Sequence, residues 1–133
     1  MEFALLAPVL ALLMAGTIDA TVLIVRNMEV RAAAQAGADH ALAKGWDATN
    51  IAAAVTGATN SPLTISASPA PTIAYGCIQG FDIVAPPGAT CADNSAPGRY
   101  VTVSAQAPFR PIVPMPGVFG ARTLAARAVV RIP

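Results

Sequence analysis

Residues 3–25 read FALLAPVLALLMAGTIDATVLIV, and Asp19 is the only charge among these 23 residues. Wound as an α-helix at about 1.5 Å per residue, the stretch covers about 35 Å, enough to cross a hydrocarbon core of about 30 Å. A cleaved signal peptide opens on basic residues and has an apolar run of roughly 7–15 residues. Here the start is acidic, at Glu2, and the run is longer. The stretch therefore reads as a membrane anchor.

The helical pattern outlasts the anchor. Residues 27–46 (NMEVRAAAQAGADHALAKGW) are Ala-rich with Gly37 inside, and no proline follows Pro8 until Pro62. At about 100° per residue, Asp19, Arg26, Glu29, His40 and Lys44 fall in one stripe about 80° wide. Val22, Ala33 and Gly37 share it, while Arg31 and Asp39 lie off it, so the polar face is approximate. The pattern predicts one helix from Glu2 to Lys44, closed by Gly45 as a C-cap. Asp47 can then cap a short second helix from Ala48 to about Val55, with Gly57 ending it.

Composition changes after residue 58. Ten of the twelve prolines lie between Pro62 and Pro116. Residues 99–107 (RYVTVSAQA) alternate, with Val101, Val103 and Ala105 on one face and Tyr100, Thr102, Ser104 and Gln106 on the other, which predicts a half-buried antiparallel strand. Residues 122–132 (RTLAARAVVRI) alternate less cleanly, Arg127 and Arg131 opposing Leu124, Ala126, Ala128 and Val130. Residues 63–67 and 73–84 are further strand candidates, the second broken by Gly76 and Gly80, which suggest bulges. A long helix followed by strands predicts an α+β fold, with the second half of the helix laid on a small antiparallel sheet. The expected organisation is a helix over 1–45, anchored through 3–25, and a head over 46–133 with one short helix and about four strands.

Only 11% of residues are charged and the net charge is +1, which gives no electrostatic case for nucleic acid. His40 is the single histidine, and no P-loop, G-x-S-x-G or H-E-x-x-H pattern occurs. Nothing argues for an enzyme, a metal or a cofactor. Cys77 and Cys91 are the only cysteines. In an oxidising compartment they are expected to pair, closing a loop of about 15 residues worth about 3 kcal/mol. Residues 108–120 (PFRPIVPMPGVFG) hold four prolines and several large apolar side chains. They read either as a loop over the head's core or as an inter-subunit patch through Phe109, Ile112, Val113, Met115 and Phe119.

Three stretches resemble the TadE-like pseudopilins of the Tad (tight adherence) pilus, within the type IV pilin-like proteins. They are Glu2-Phe3-Ala4-Leu5-Leu6-Ala7-Pro8-Val9-Leu10, then Gly16-Thr17-Ile18-Asp19, and finally Tyr100-Val101-Thr102-Val103 with Pro108-Phe109-Arg110-Pro111 and a closing strand. In that family the glutamate stands at the fifth mature position, so the resemblance implies either that a leader and about three mature residues precede Met1, which is the reading expected, or that processing differs. Arg26 and Arg31 after the anchor favour a cytoplasmic head by the positive-inside rule. The cysteines and the resemblance place it outside, and that orientation is the one expected.

The resemblance implies a pilin-like structural subunit that polymerises through its N-terminal helix into a surface filament. The alternative is a minor membrane-anchored pseudopilin that primes assembly. Implied partners are other copies of the chain or other pilins, the assembly platform and the prepilin peptidase. The inner membrane holds the chain before assembly and the extracellular filament afterwards. The expected assembly residues are Glu2, Phe3, Pro8, Gly16, Asp19 and Arg26. Glu2 would pair with an N-terminal amine or rest in the headgroups, while Pro8 and small residues such as Ala11 and Gly16 allow close helix packing. Asp19 would be solvated at the membrane–water boundary, or would meet Arg26 of a neighbour.

Overall fold

Alanine, leucine and other good helix formers dominate the first third of the chain, and in the computed structural model they form α1, Glu2–Lys44, a single helix of 43 residues. The structure describes residues 2–59, 64–80, 82–86, 90–112 and 120–133, with side chains from Leu6 onward. Helix α1 runs through Pro8 as one element and stops where Gly45 adopts φ +83°, its N–H donating to the Ala41 carbonyl. Glycine takes that left-handed conformation without a Cβ clash, and it satisfies one of the helix's last carbonyls. Asp47 then caps α2, Ala48–Thr56, its Oδ1 accepting from the amides of Thr49 at 3.0 Å and Asn50 at 3.1 Å.

Four strands follow: β1 (Thr72–Gln79), β2 (Asp82–Val84), β3 (Gly98–Phe109) and β4 (Arg122–Ile132). All neighbours are antiparallel, in the order β2-β1-β3-β4. The stretch read as one strand interrupted by bulges, 73–84, is instead the β1–β2 hairpin. Gly80, at φ +66°, sits at its turn, and Gly76 lies where a Cβ would meet the Val84 carbonyl oxygen. Of the candidate strand 63–67 the structure shows a single bridge, in which Ser66 exchanges both backbone hydrogen bonds with Gln106.

The sheet is curled. Arg127 on β4 reaches Asp82 on β2 at 3.1 Å, although two strands lie between them and flat spacing would set their backbones about 14 Å apart. Curling explains a departure from the alternation expected for β3: Tyr100 and Thr102, on the face away from α1, are buried as well as Val101 and Val103. The Arg127–Asp82 pair itself is largely exposed, and such pairs contribute little.

The core lies between α1, α2 and the inner face of the sheet. Val101, Val103, Ala105, Ala107 and Phe109 of β3 and Leu124 and Ile132 of β4 pack against Val30, Ala33, Ala34 and Ala41 of α1 and Ile51 and Val55 of α2. The three layers meet at Gly37, where a Cβ would lie 2.6 Å from Val55 Cγ2 and 2.8 Å from Val103 Cγ1. Two separations that short leave no room for a methyl group unless the valines move.

The Cys77–Cys91 disulfide is formed, with Cα atoms 5.6 Å apart. It joins β1 to the turn before β3. That turn is organised locally, with Cys91 N–H donating to Ser95 O and Asn94 N–H to Cys91 O. The Ser95 hydroxyl and amide both donate to Asp93 Oδ1, and the hydroxyl bond is the main cause holding this carboxyl below its usual range.

Two outcomes follow from this packing. Gly37→Ala is expected to lower stability, because overpacking costs about 1–3 kcal/mol and exceeds the roughly 1 kcal/mol gained in helix propensity. Thermal melting in detergent reads it, and a raised Tm would show that the junction is loosely packed. Reducing Cys77–Cys91 should cost about 3 kcal/mol in the chain-entropy account, measured as a lower melting temperature with reductant than without it.

Candidate functional site at the helix and its junction with the head

The apolar run has two parts with different surroundings. From Leu6 to Met14 every side chain is exposed, and the large ones include Leu6, Val9, Leu10, Leu12, Leu13 and Met14. The head begins to cover α1 at Asp19 and then follows Val22, Leu23, Arg26, Val30, Ala33, Ala34, Gly37, Ala38 and Ala41. These positions recur every three or four residues, so one stripe of the helix faces the head. It is nearly the stripe that carries the polar residues. The face covered by the head thus begins at Asp19, within the apolar run 3–25.

Asp19 departs most from its reading as a solvated carboxylate. It is 1% exposed, and its Oδ1 accepts a hydrogen bond from the backbone N–H of Ile112 at 2.8 Å. A buried carboxylate without hydrogen bonds costs several kcal/mol, whereas an amide donor directed at it is among the stronger partners a backbone can offer. The partner comes from the connector after β3, 93 residues further along the chain. Sequence reasoning missed it because a backbone N–H leaves no trace in residue identity. Arg26 pairs with Glu29 of its own helix, its guanidinium lying 2.8 Å from Glu29 Oε2, with both side chains about a quarter exposed.

The two hydroxyls of the run are also satisfied internally. Thr17 Oγ1 donates to the Met14 carbonyl at 2.8 Å and Thr21 Oγ1 to the Thr17 carbonyl at 2.9 Å. This back-bonding keeps a threonine hydroxyl from facing an apolar medium without a partner. So Thr17, Asp19 and Thr21, the polar residues within 3–25, all have intramolecular hydrogen bonds. Among the other expected assembly residues, Pro8 is exposed and Gly16 half-buried. The side chains of Glu2 and Phe3 lie outside the described ones. Of the proposed inter-subunit patch, Phe109 is buried in the core and so is no contact surface, while Ile112 is 71% exposed. Val113, Met115 and Phe119 lie outside the described residues.

Among the described residues no group of His, Cys, Asp or Glu lies together as a metal site would. An open groove of about 1020 Å³ runs between α1 and β4, lined by Arg31, Gln35, Asp39 and residues 125–130. The chemistry of the chain is concentrated instead in an apolar helix whose polar groups are internally bonded.

The Asp19–Ile112 bond gives a direct measurement. Asp19→Leu leaves the Ile112 amide without this acceptor, a loss of about 1–3 kcal/mol, so its hydrogen exchange should accelerate roughly tenfold or more. Asp19→Asn, which keeps a carbonyl oxygen, should exchange more slowly than Asp19→Leu. Equal rates in both variants would mean that the bond does not hold the connector.

Two comparisons, with curated proteins and with solved structures, find no match to this chain. A third, with protein families, matches residues 1–39 to the family described as TadE-like protein. The matched segment holds the whole exposed apolar stretch, Asp19 and its backbone-bonded threonines, and the first residues of the face that carries the head. By length and composition the helix is apolar enough to cross a membrane. The family is a structural one, linked to the Tad pilus. Over residues 1–39, the greater part of its N-terminal helix, the chain is similar to the TadE-like family.

Proposed function

We propose that the chain is a subunit of a Tad-type pilus whose N-terminal helix is held first in the inner membrane and then in the core of a filament. The observation that carries this reading is the exposure of every described side chain from Leu6 to Met14, nearly all apolar. Leaving so many large apolar groups in water is unfavourable by about 25 cal/mol per Å², so this rod needs lipid or other helices around it. Internal bonding of Thr17, Asp19 and Thr21 supports passage between those two media, since neither has to supply a partner. Ala11, Ala15 and Gly16 leave room for a neighbouring helix to approach. Glu2 would pair with an N-terminal amine of its own or an adjacent subunit. The prepilin peptidase and the assembly platform would process and extract the chain, and the stapled head would face outward along the fibre.

A second reading is a minor pseudopilin that primes assembly from the membrane, and the TadE-like match fits it equally. Electron microscopy of fibres sheared from the cell surface, with peptide identification, separates the two. The filament-subunit reading expects this chain to dominate the fibre, and recovery from membranes alone would assign it the priming role. Ala11→Phe provides a sharper test, because it keeps the helix apolar while obstructing close packing. It should leave membrane insertion and the melting of the head unchanged and abolish fibres; normal fibres would remove this helix face from the filament core.

A further inference from the structure

The Asp19–Ile112 bond fixes where the head sits relative to the membrane. With Phe3 at one hydrocarbon boundary, a rise of about 1.5 Å per residue puts Asp19 about 24 Å in. That is about 6 Å short of the far boundary of a core about 30 Å thick. Arg26, with its Glu29 partner, then lies just beyond that boundary, at headgroup level. Tilting the helix only draws these positions deeper. Because Ile112 N lies 2.8 Å from Asp19 Oδ1, the connector after β3 must sit at the same depth as Asp19.

The residues there suit that depth. Ile112 is 71% exposed beside a carboxylate that is 1% exposed, so the connector hides the charge and turns an apolar side chain outward. Arg110 is exposed two residues earlier, within reach of the phosphate level for a long cationic side chain. Phe109 is buried in the core, and β3 ends there, which ties the connector rigidly to the sheet. Exposed isoleucine in water needs no special explanation, but here it continues the apolar surface of the helix itself.

We propose that the connector at Arg110–Ile112 is a second membrane contact: Ile112 is immersed among the acyl chains at the outer interface, and Arg110 meets lipid phosphates. The head is then seated in the bilayer surface, and it shields from lipid the one charge in the apolar run. This inference rests on the membrane-anchored stage of the proposed function, and it assigns a lipid surface, not another subunit, as the partner of Ile112.

The test uses the full chain reconstituted in phosphatidylcholine vesicles, with Trp46→Phe as background because Trp46 is the only tryptophan. Ile112→Trp is expected to fluoresce at shorter wavelength than Trp46 in the native chain. It should lose most of its emission to lipids brominated on their acyl chains and little to aqueous iodide. Leu12→Trp serves as the probe for the span. Quenching of Leu12→Trp by brominated lipid together with iodide quenching of Ile112→Trp overturns the seating of the head alone. Shielding of Ile112→Trp from both quenchers overturns it too, since a second protein surface would then be its partner. A Leu12→Trp probe untouched by brominated lipid would remove the membrane span and this inference with it. Should Ile112→Trp fail to fold, Arg110→Trp is read at the phosphate level instead: partial quenching by both brominated lipid and iodide is expected, and iodide quenching with none by brominated lipid overturns the seating.

Discussion

What holds this head together is the close approach of one helix to one sheet, and that approach depends on what the helix lacks. Ala33, Ala34, Gly37 and Ala41 present almost no side chain to β3, so Val101, Val103 and Ala105 can pack against the helix backbone. Interiors are close-packed, and one methylene in the wrong place is felt. Gly37 is the extreme case, since α2 crosses at the same point through Ile51 and Val55. The second helix, the curl of the sheet and the disulfide-bonded turn are arranged around that contact. A larger residue on this stripe would push apart all three layers at once.

A second constraint is that the same rod has to satisfy two media. Up to Met14 its described side chains meet only what surrounds the protein; from Asp19 onward one side meets the head. Polar groups near that change are the ones at risk, and each is answered from within the chain. Thr17 and Thr21 bond to carbonyls one turn back, Arg26 pairs with Glu29, and Asp19 accepts the Ile112 amide. A charge inside an apolar run is commonly taken as the mark of an intermolecular contact. Here a backbone donor from the same chain already meets it, and any contact between subunits must be compatible with that bond.

The fold was legible wherever it follows from local patterns. The helix bounds, the Gly45 and Asp47 caps, the alternation of β4 and the Cys77–Cys91 pair all rest on neighbouring residues or on a simple count. Three features were not legible, for a common reason. The β1–β2 hairpin was hidden because Gly80 serves equally as a turn or a bulge until the pairing partner is known. The burial of Tyr100 and Thr102 depends on the curl, which needs the whole sheet. The environment of Asp19 depends on a backbone group 93 residues away. The same holds for the stripe of α1 that spacing marks as an approximate polar face. Its charges sit at the ends of a face whose middle, Val30 to Ala41, is buried.

The 93 residues between Asp19 and its amide donor also set an order of events during biosynthesis. The apolar helix is made first, whereas Ile112 appears only when most of the chain has been translated. At about 5–20 residues per second, roughly 5–20 s separate the two. Through that interval the helix exists without the connector against it. The β3–β4 pairing, which places the connector, has to wait longer still, for residues up to Ile132. Docking of the connector on the helix thus waits until β4 has been made. A chain that stops short of β4 would present an apolar helix whose Asp19 the connector has not yet met, chemically distinct from the finished molecule.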